Sequence, residues 1–361
     1  MPPIAIDAMG ADGAPRVEVE GIVAAVREKG IDVIVVGDEP RVRAEIERLG
    51  ATSEKIVVRH APEVITMHDP PSMAVKQKKK SSMRMCFDLC KSGEADAVVS
   101  AGNSGAMMAC GLFVLGRLPG VERPAIITTF PTKVGECALL DMGANVDPKP
   151  TVLAQFAVLG SVYARLLHNK TRPKVGLLSN GSEGHKGTPL TRDTHQLLAR
   201  AARGNGAGGA ADFEYLGYVE GRDIFKGEVD VVVTDGFTGN VVLKSVEGAA
   251  EAMLDMVRDE VSRGGVLAKV GAALMTTALR RLKRRTDYAE HGGAPLLGVE
   301  GVALICHGGS NAKAIKNAIF VAHRFAQIGL GKELTSAIGR HGFLWESVLG
   351  NTPPTAAEGV S

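Results

Sequence analysis

Short apolar runs recur along the chain at Ile4–Ile6, Val33–Val36, Ile56–Val58, Ala97–Val99, Ala125–Thr128, Cys137–Leu140, Val175–Leu178, Val229–Val233 and Val302–Cys306. Most are unbroken rather than alternating, the pattern of strands covered on both faces. Between many of them lie stretches of helical character, among them Pro15–Lys29, Pro148–Leu167, Leu190–Arg203 and Asn240–Val261. Strand alternating with helix predicts βαβ units and an α/β fold with a doubly wound, mostly parallel sheet. The stretch 204–211, GNGAGGAA, reads as a surface loop. It matches GxGxxG by letter, but it follows a helix and precedes a strand, the reverse of a dinucleotide-binding turn.

Composition narrows the class. A chain of 361 residues with 45% hydrophobic and 23% charged residues can bury a large core. Aromatics are only 4% and the net charge is +2, which argues against a nucleic-acid partner. Five cysteines and no CxxC give neither a disulfide framework nor a zinc site, so no metal is expected. The N-terminus reads directly into a strand, without the basic and apolar regions of a secretion signal. We expect one large catalytic unit over 1–349, a protruding amphipathic helical segment over 262–290, and a disordered tail over 350–361.

Chemistry concentrates where strands end. Asp7 closes the first run, and Gly10 lies in the turn after it. After Val99 come Ser100, Gly102, Asn103, Ser104 and Gly105, hydroxyls and an amide beside backbone N–H groups at a helix start, a setting for phosphate. After Leu178 the loop carries Asn180, His185 and Lys186, and a lysine on such a loop neutralises phosphate as a point charge. After Val233 the same grammar gives Asp235, Gly236 and Asn240; after Ile305 it gives His307, Ser310 and Asn311. Capping and turn roles are open for each of these residues. Ser310 sits in a partial nucleophile elbow, with Ala312 in place of the last glycine, and helix capping is its other reading. All five segments follow an apolar strand, so they are expected along one sheet edge.

Residues 266–285 are amphipathic at helical spacing, with Leu267, Val270, Leu274 and Leu282 on the apolar face and Lys269, Arg280, Lys283 and Arg284 opposite. Such a helix contacts a membrane surface or packs on the core or on a second copy.

The segments IAIDAMGAD (4–12), SAGNSGA (100–106), LDMGAN (140–145), EGRDIF (220–225), DVVVTDGFTGNVVLKSVEG (230–248), YAEHGGAPLLGV (288–299) and HGGSNA (307–312) together resemble the bacterial phosphate acyltransferase family, the acyl-carrier-protein:phosphate transacylases called PlsX. Ala11 departs from the family's usual second glycine, and the 179–188 loop departs from its usual form. The resemblance implies the phosphotransacetylase and isocitrate dehydrogenase-like fold. It implies transfer of an acyl group from acyl carrier protein to inorganic phosphate, without a cofactor. It also implies a cytoplasmic homodimer, peripherally membrane-associated, that feeds a membrane glycerol-3-phosphate acyltransferase in phospholipid synthesis. On this reading the Ser100–Gly105 loop holds phosphate with charge from Lys186. Asn180, His307 and Asn311 are donors to the carbonyl or leaving group, Asp7 and Asp235 orient them, and Gly10, Gly236, Asn240 and Ser310 contact substrate. A thioesterase, a short-chain phosphotransacetylase, a dehydrogenase on the same fold and a non-catalytic acyl- or nucleotide-binding module remain the alternatives.

Overall fold

A computed structural model describes residues 2–202, 211–278, 281 and 292–345. The elements are β1 (Ile4–Asp7), α1 (Arg16–Lys29), β2 (Val33–Gly37), α2 (Glu39–Arg48), β3 (Ile56–His60), α3 (Pro71–Gln77), α4 (Ser82–Ser92), β4 (Ala97–Ser100), α5 (Ser104–Cys110), β5 (Ala125–Pro131), β6 (Glu136–Leu140), α6 (Pro150–Leu167), β7 (Lys174–Leu178), α7 (Pro189–Ala202), β8 (Glu214–Val219), β9 (Val231–Val233), α8 (Gly236–Arg263), α9 (Gly265–Leu274), β10 (Ala294–Leu297), β11 (Val302–Ile305), α10 (Ala312–Ile328) and α11 (Leu330–Arg340). Every predicted run is a strand. β8 and β10 are additional: β8 is an edge strand buried only at its end, and β10 carries Pro295.

The strands form one 11-stranded sheet in the order β3-β2-β1-β4-β11-β10-β5-β6-β9-β7-β8. One core layer joins α1, α2, α6, α7, α10 and α11 to one face. On the other face α3, α4 and α5 cover the first half and the start of α8 covers the second. Helix α6 is long and apolar enough to cross a membrane, but 78% of it is buried and it forms the centre of the first layer.

Direction changes in the middle of the sheet. β3, β2, β1, β4 and β11 are mutually parallel, and β10 runs against both β11 and β5. β5 in turn runs against β6, which is parallel to β9, β7 and β8. The β7–β9 side therefore points opposite to the β1–β11 side. This corrects the expectation of five loops along a single edge.

β10 also parts the sheet. Its first half pairs with β11 (Ala294 with Ile305) and its second half with β5 (Leu296 with Ile126). Above Ile126, the edge of β5 that faces β11 has no strand paired to it among the described residues, and the two half-sheets splay there.

Helix α8 has 28 residues, about 42 Å at 1.5 Å per residue, and only Gly236 and Gly239 are buried. Its outer half and α9 form an arm with exposed Met253, Met256, Leu267 (85% exposed), Val270 (51%) and Leu274 (83%). Leu282 and the tail 350–361 lie outside the described residues.

Candidate active site

Three loops of the first half lock together. Asp7 is buried at the end of β1; its Oδ2 accepts from Ser100 Oγ at 2.6 Å and its Oδ1 from the Met9 N–H at 3.1 Å. Ser100 Oγ accepts from the Gly102 N–H at 3.0 Å. Burial raises the Asp7 carboxyl above its usual range, and the bonds from Ser100, Ser82 and Met9 oppose that. A Cβ on Gly10 would stand 2.6 Å from the Gly102 nitrogen, so glycine is what lets the two loops touch. The Asp12 N–H donates to the Gly308 carbonyl at 3.0 Å and ties in the third loop.

Beneath them lies a residue that the motif reading passed over. Glu18 of α1 is 0% exposed, its Oε1 accepts from the Ala11 N–H at 2.7 Å, and its Oε2 has no hydrogen-bond partner among the described residues. Burial, with Asp7 nearby, pushes its carboxyl up to about 7. A sequence signal existed: Glu18, Ile22 and Ala25 share one helical face, and the other two are core.

Several candidates act as caps. Asn103 accepts from the Ala106 N–H at 3.1 Å at the start of α5 and donates to the carbonyls of Thr66, Met67 and Asp69. Asn311 caps α10 through the Ala314 N–H at 3.0 Å. Asp235 caps α8, accepting from the N–H and hydroxyl of Thr238, both at 2.8 Å. Gly105 is packed on Pro71, and Gly236 on the backbone of Asn145, where side chains would collide. Ser310 is buried and its Oγ has no hydrogen-bond partner among the described residues, so no His–Ser pair is formed there to activate it as a nucleophile. The Nδ1 of His307 accepts from the Gly309 N–H at 3.1 Å.

The splay between the half-sheets opens a cleft of about 990 Å³. Gly102, Ser104, His307 and Ser310 line it from the first half, and Met142, Asn240 and Lys244 from the second. Thus loops of both halves reach one space although their strands run oppositely. Ser100 and Gly10 stand behind the lining as its support. Asn180 and Lys186 do not line the cleft. Their loop follows β7, one strand beyond the β9 loop that supplies Asn240, and Asn180 Oδ1 holds that loop through the Gly187 N–H at 3.0 Å. The lysine and arginine that line the cleft are Lys244 and Arg324. Asp141, fully buried, accepts from the N–H groups of Ile126, Ala144 and Asn145 and from the Asn145 amide, and so fixes the base of the cleft.

Comparison with known proteins settles the lineage. Residues 3–332 match the family described as "Fatty acid synthesis protein". The chain is 53% identical over 331 residues to a phosphate acyltransferase of Geobacter sulfurreducens, covering 92% of each chain. It is 50% identical to one of Trichlorobacter lovleyi, covering 98% of this chain and 99% of the relative. The chain belongs to the phosphate acyltransferase family. In fold, this acyltransferase is similar to a phosphotransacetylase from Streptococcus pyogenes, with a TM-score of 0.60 at 16% identity over 91% of this chain and 94% of the other. It is also similar to a branched-chain phosphotransacylase from Enterococcus faecalis, with a TM-score of 0.54 at 13% identity over 90% and 99%.

Proposed function

We propose that this acyltransferase moves a fatty acyl group from acyl carrier protein to inorganic phosphate, releasing acyl phosphate for phospholipid synthesis. The observation that carries the reading is one cleft lined both by hydroxyl- and glycine-rich loops and by apolar side chains, with Arg324 and Lys244, the latter paired with Glu247, in its walls. A phosphorylated head and an alkyl tail need that pairing.

Phosphate oxygen attacks the thioester carbonyl, the tetrahedral intermediate collapses, the C–S bond breaks, and the carrier's thiolate leaves. Phosphate is itself the nucleophile, so no acyl-enzyme is required, and the unpartnered Ser310 is consistent with that. Holding both reactants in line lowers the barrier by up to roughly 7–11 kcal/mol. An oxyanion donor adds about 3–4 kcal/mol. Ser104 and Gly102 meet the phosphate; Asp7, Ser100 and Glu18 fix the shape of that loop from behind. Lys244 and Arg324 supply charge from the walls, and Lys186 stands on the neighbouring loop. His307 and Ser310 face the carbonyl. The protein acts as a cytoplasmic homodimer, and the exposed apolar residues of the α8–α9 arm bring it to a membrane surface, where a glycerol-3-phosphate acyltransferase takes the product.

Incubation with palmitoyl carrier protein and phosphate, followed by hydroxylamine trapping, should yield the hydroxamate only when phosphate is present. Thioester loss that persists without phosphate would mark a thioesterase and overturn the reading.

A further inference from the structure

The walls of the cleft differ by the parity of β5. Ile126, Thr128 and Phe130 face α8, whereas Ile127 and Thr129 face α6, where Thr129 Oγ1 lies 3.2 Å from Tyr163 Oη. On the α6 side the lining includes Tyr163, His168 and Arg324. On the α8 side Ile126, Phe130, Met142 and Phe225 are met by Leu243 and Val246, three residues apart on one helical face. An α/β helix ordinarily buries its apolar stripe on the sheet. Here α8 buries nothing beyond Gly239, and Leu243, Val246, Ile126 and Phe225 stay half-buried. Leu243 and Val246 touch the Phe130–Met142 cluster but leave part of their apolar surface, and that of Ile126 and Phe225, on a gap in the same cleft as the polar loops.

We propose that this gap holds the alkyl chain of the acyl substrate, and that Leu243 and Val246 of α8, with Phe130 and Met142 opposite, set the chain length accepted. The inference rests on the acyl-transfer reading above. A cleft of about 990 Å³ is at the upper end of small-ligand sites, which are lined mainly by apolar groups with a few placed polar ones. Each methylene buried contributes about 0.8 kcal/mol, close to fourfold in affinity. A bulky side chain in the gap therefore discriminates against long chains and leaves short ones less affected.

The test compares palmitoyl and octanoyl carrier protein as substrates, with phosphate, for wild type, Val246→Trp and Leu243→Trp. The palmitoyl-to-octanoyl ratio of kcat/KM should fall at least tenfold in each variant, because the indole excludes several methylenes. Both positions are half-exposed on a helix, and circular dichroism confirms folding. An unchanged ratio in both folded variants would place the chain elsewhere and end the proposal. A second measurement separates this failure from failure of the reaction itself: displacement of a fluorescent polyene fatty acid by palmitate. If wild type turns over no acyl carrier protein, the proposed reaction fails. The gap is then still upheld if the probe binds and Val246→Trp weakens it at least tenfold, and refuted if the probe does not bind or the variant binds it equally.

Discussion

Glu18→Gln exchanges a buried carboxylate for a neutral amide of the same shape, and its effect on stability should depend on pH in one direction. In the folded chain burial lifts the Glu18 carboxyl from 4.5 to about 7. A raised acid keeps its proton in the folded state while the unfolded chain has already lost it. Its stabilising contribution is therefore complete below about pH 4.5 and is lost as pH rises toward about 7. A difference of roughly 2.5 units, at about 1.4 kcal/mol each, amounts to about 3 kcal/mol across that window. The groups facing Glu18 do not cancel this: Asp7 is present in both proteins, and burial holds the Cys306 thiol at about 12, uncharged throughout. Glutamine retains the acceptor for the Ala11 N–H and places a donor where the protonated wild-type carboxyl also carries one, so the exchange costs little while Glu18 is protonated. Urea unfolding followed by Trp345, the only tryptophan and a buried one, reads the difference. The two proteins should be close in stability near pH 4.5, and the balance should move about 3 kcal/mol in the variant's favour by about pH 8. A gap between the two proteins that is flat with pH would mean that Glu18 ionises normally and does not carry a proton beneath the loops.

Gly10→Ala should cost about 1–3 kcal/mol of stability by overpacking and lower kcat/KM more than the melting temperature suggests, since its Cβ meets backbone of the Gly102 loop at 2.6 Å. Steady-state kinetics beside thermal unfolding checks this, and wild-type activity in the variant would remove the loop contact from the mechanism. Lys244→Ala should raise the KM for phosphate about tenfold, the loss of a charge-assisted contact of about 1.5 kcal/mol, and by more than Lys186→Ala. The reverse order would show that the 179–188 loop supplies the charge instead. Leu267→Asp with Leu274→Asp should weaken co-sedimentation with anionic vesicles severalfold without loss of soluble activity; equal sedimentation would discard the arm as the contact.

How far the sequence reaches follows from what an apolar run encodes. A strand buried on both faces must be apolar throughout, so the runs at Ile4–Ile6, Ala97–Val99 and Val302–Cys306 announce strands and their polar ends announce turns. An apolar run has no arrow. Nothing in Cys137–Leu140 or Val231–Val233 says that these strands oppose β4; the reversal takes two strands, β10, concealed by Pro295, and β5, which runs against both β10 and β6. Residue type likewise singled out Gly102, Ser104, His307 and Ser310, which line the cleft, but neither Lys244 nor Arg324. Lys186 stood out because it sits among glycines, yet it is one strand beyond the cleft. Lys244 and Arg324 lie inside helices, where a charged residue looks like solvated surface until a neighbouring element leaves a space in front of it. The caps tell the converse: Asn103, Asp235 and Asn311 stand at strand-to-helix turns and spend their acceptors on backbone N–H groups. Their removal should therefore loosen the helices that frame the cleft and alter catalysis through position.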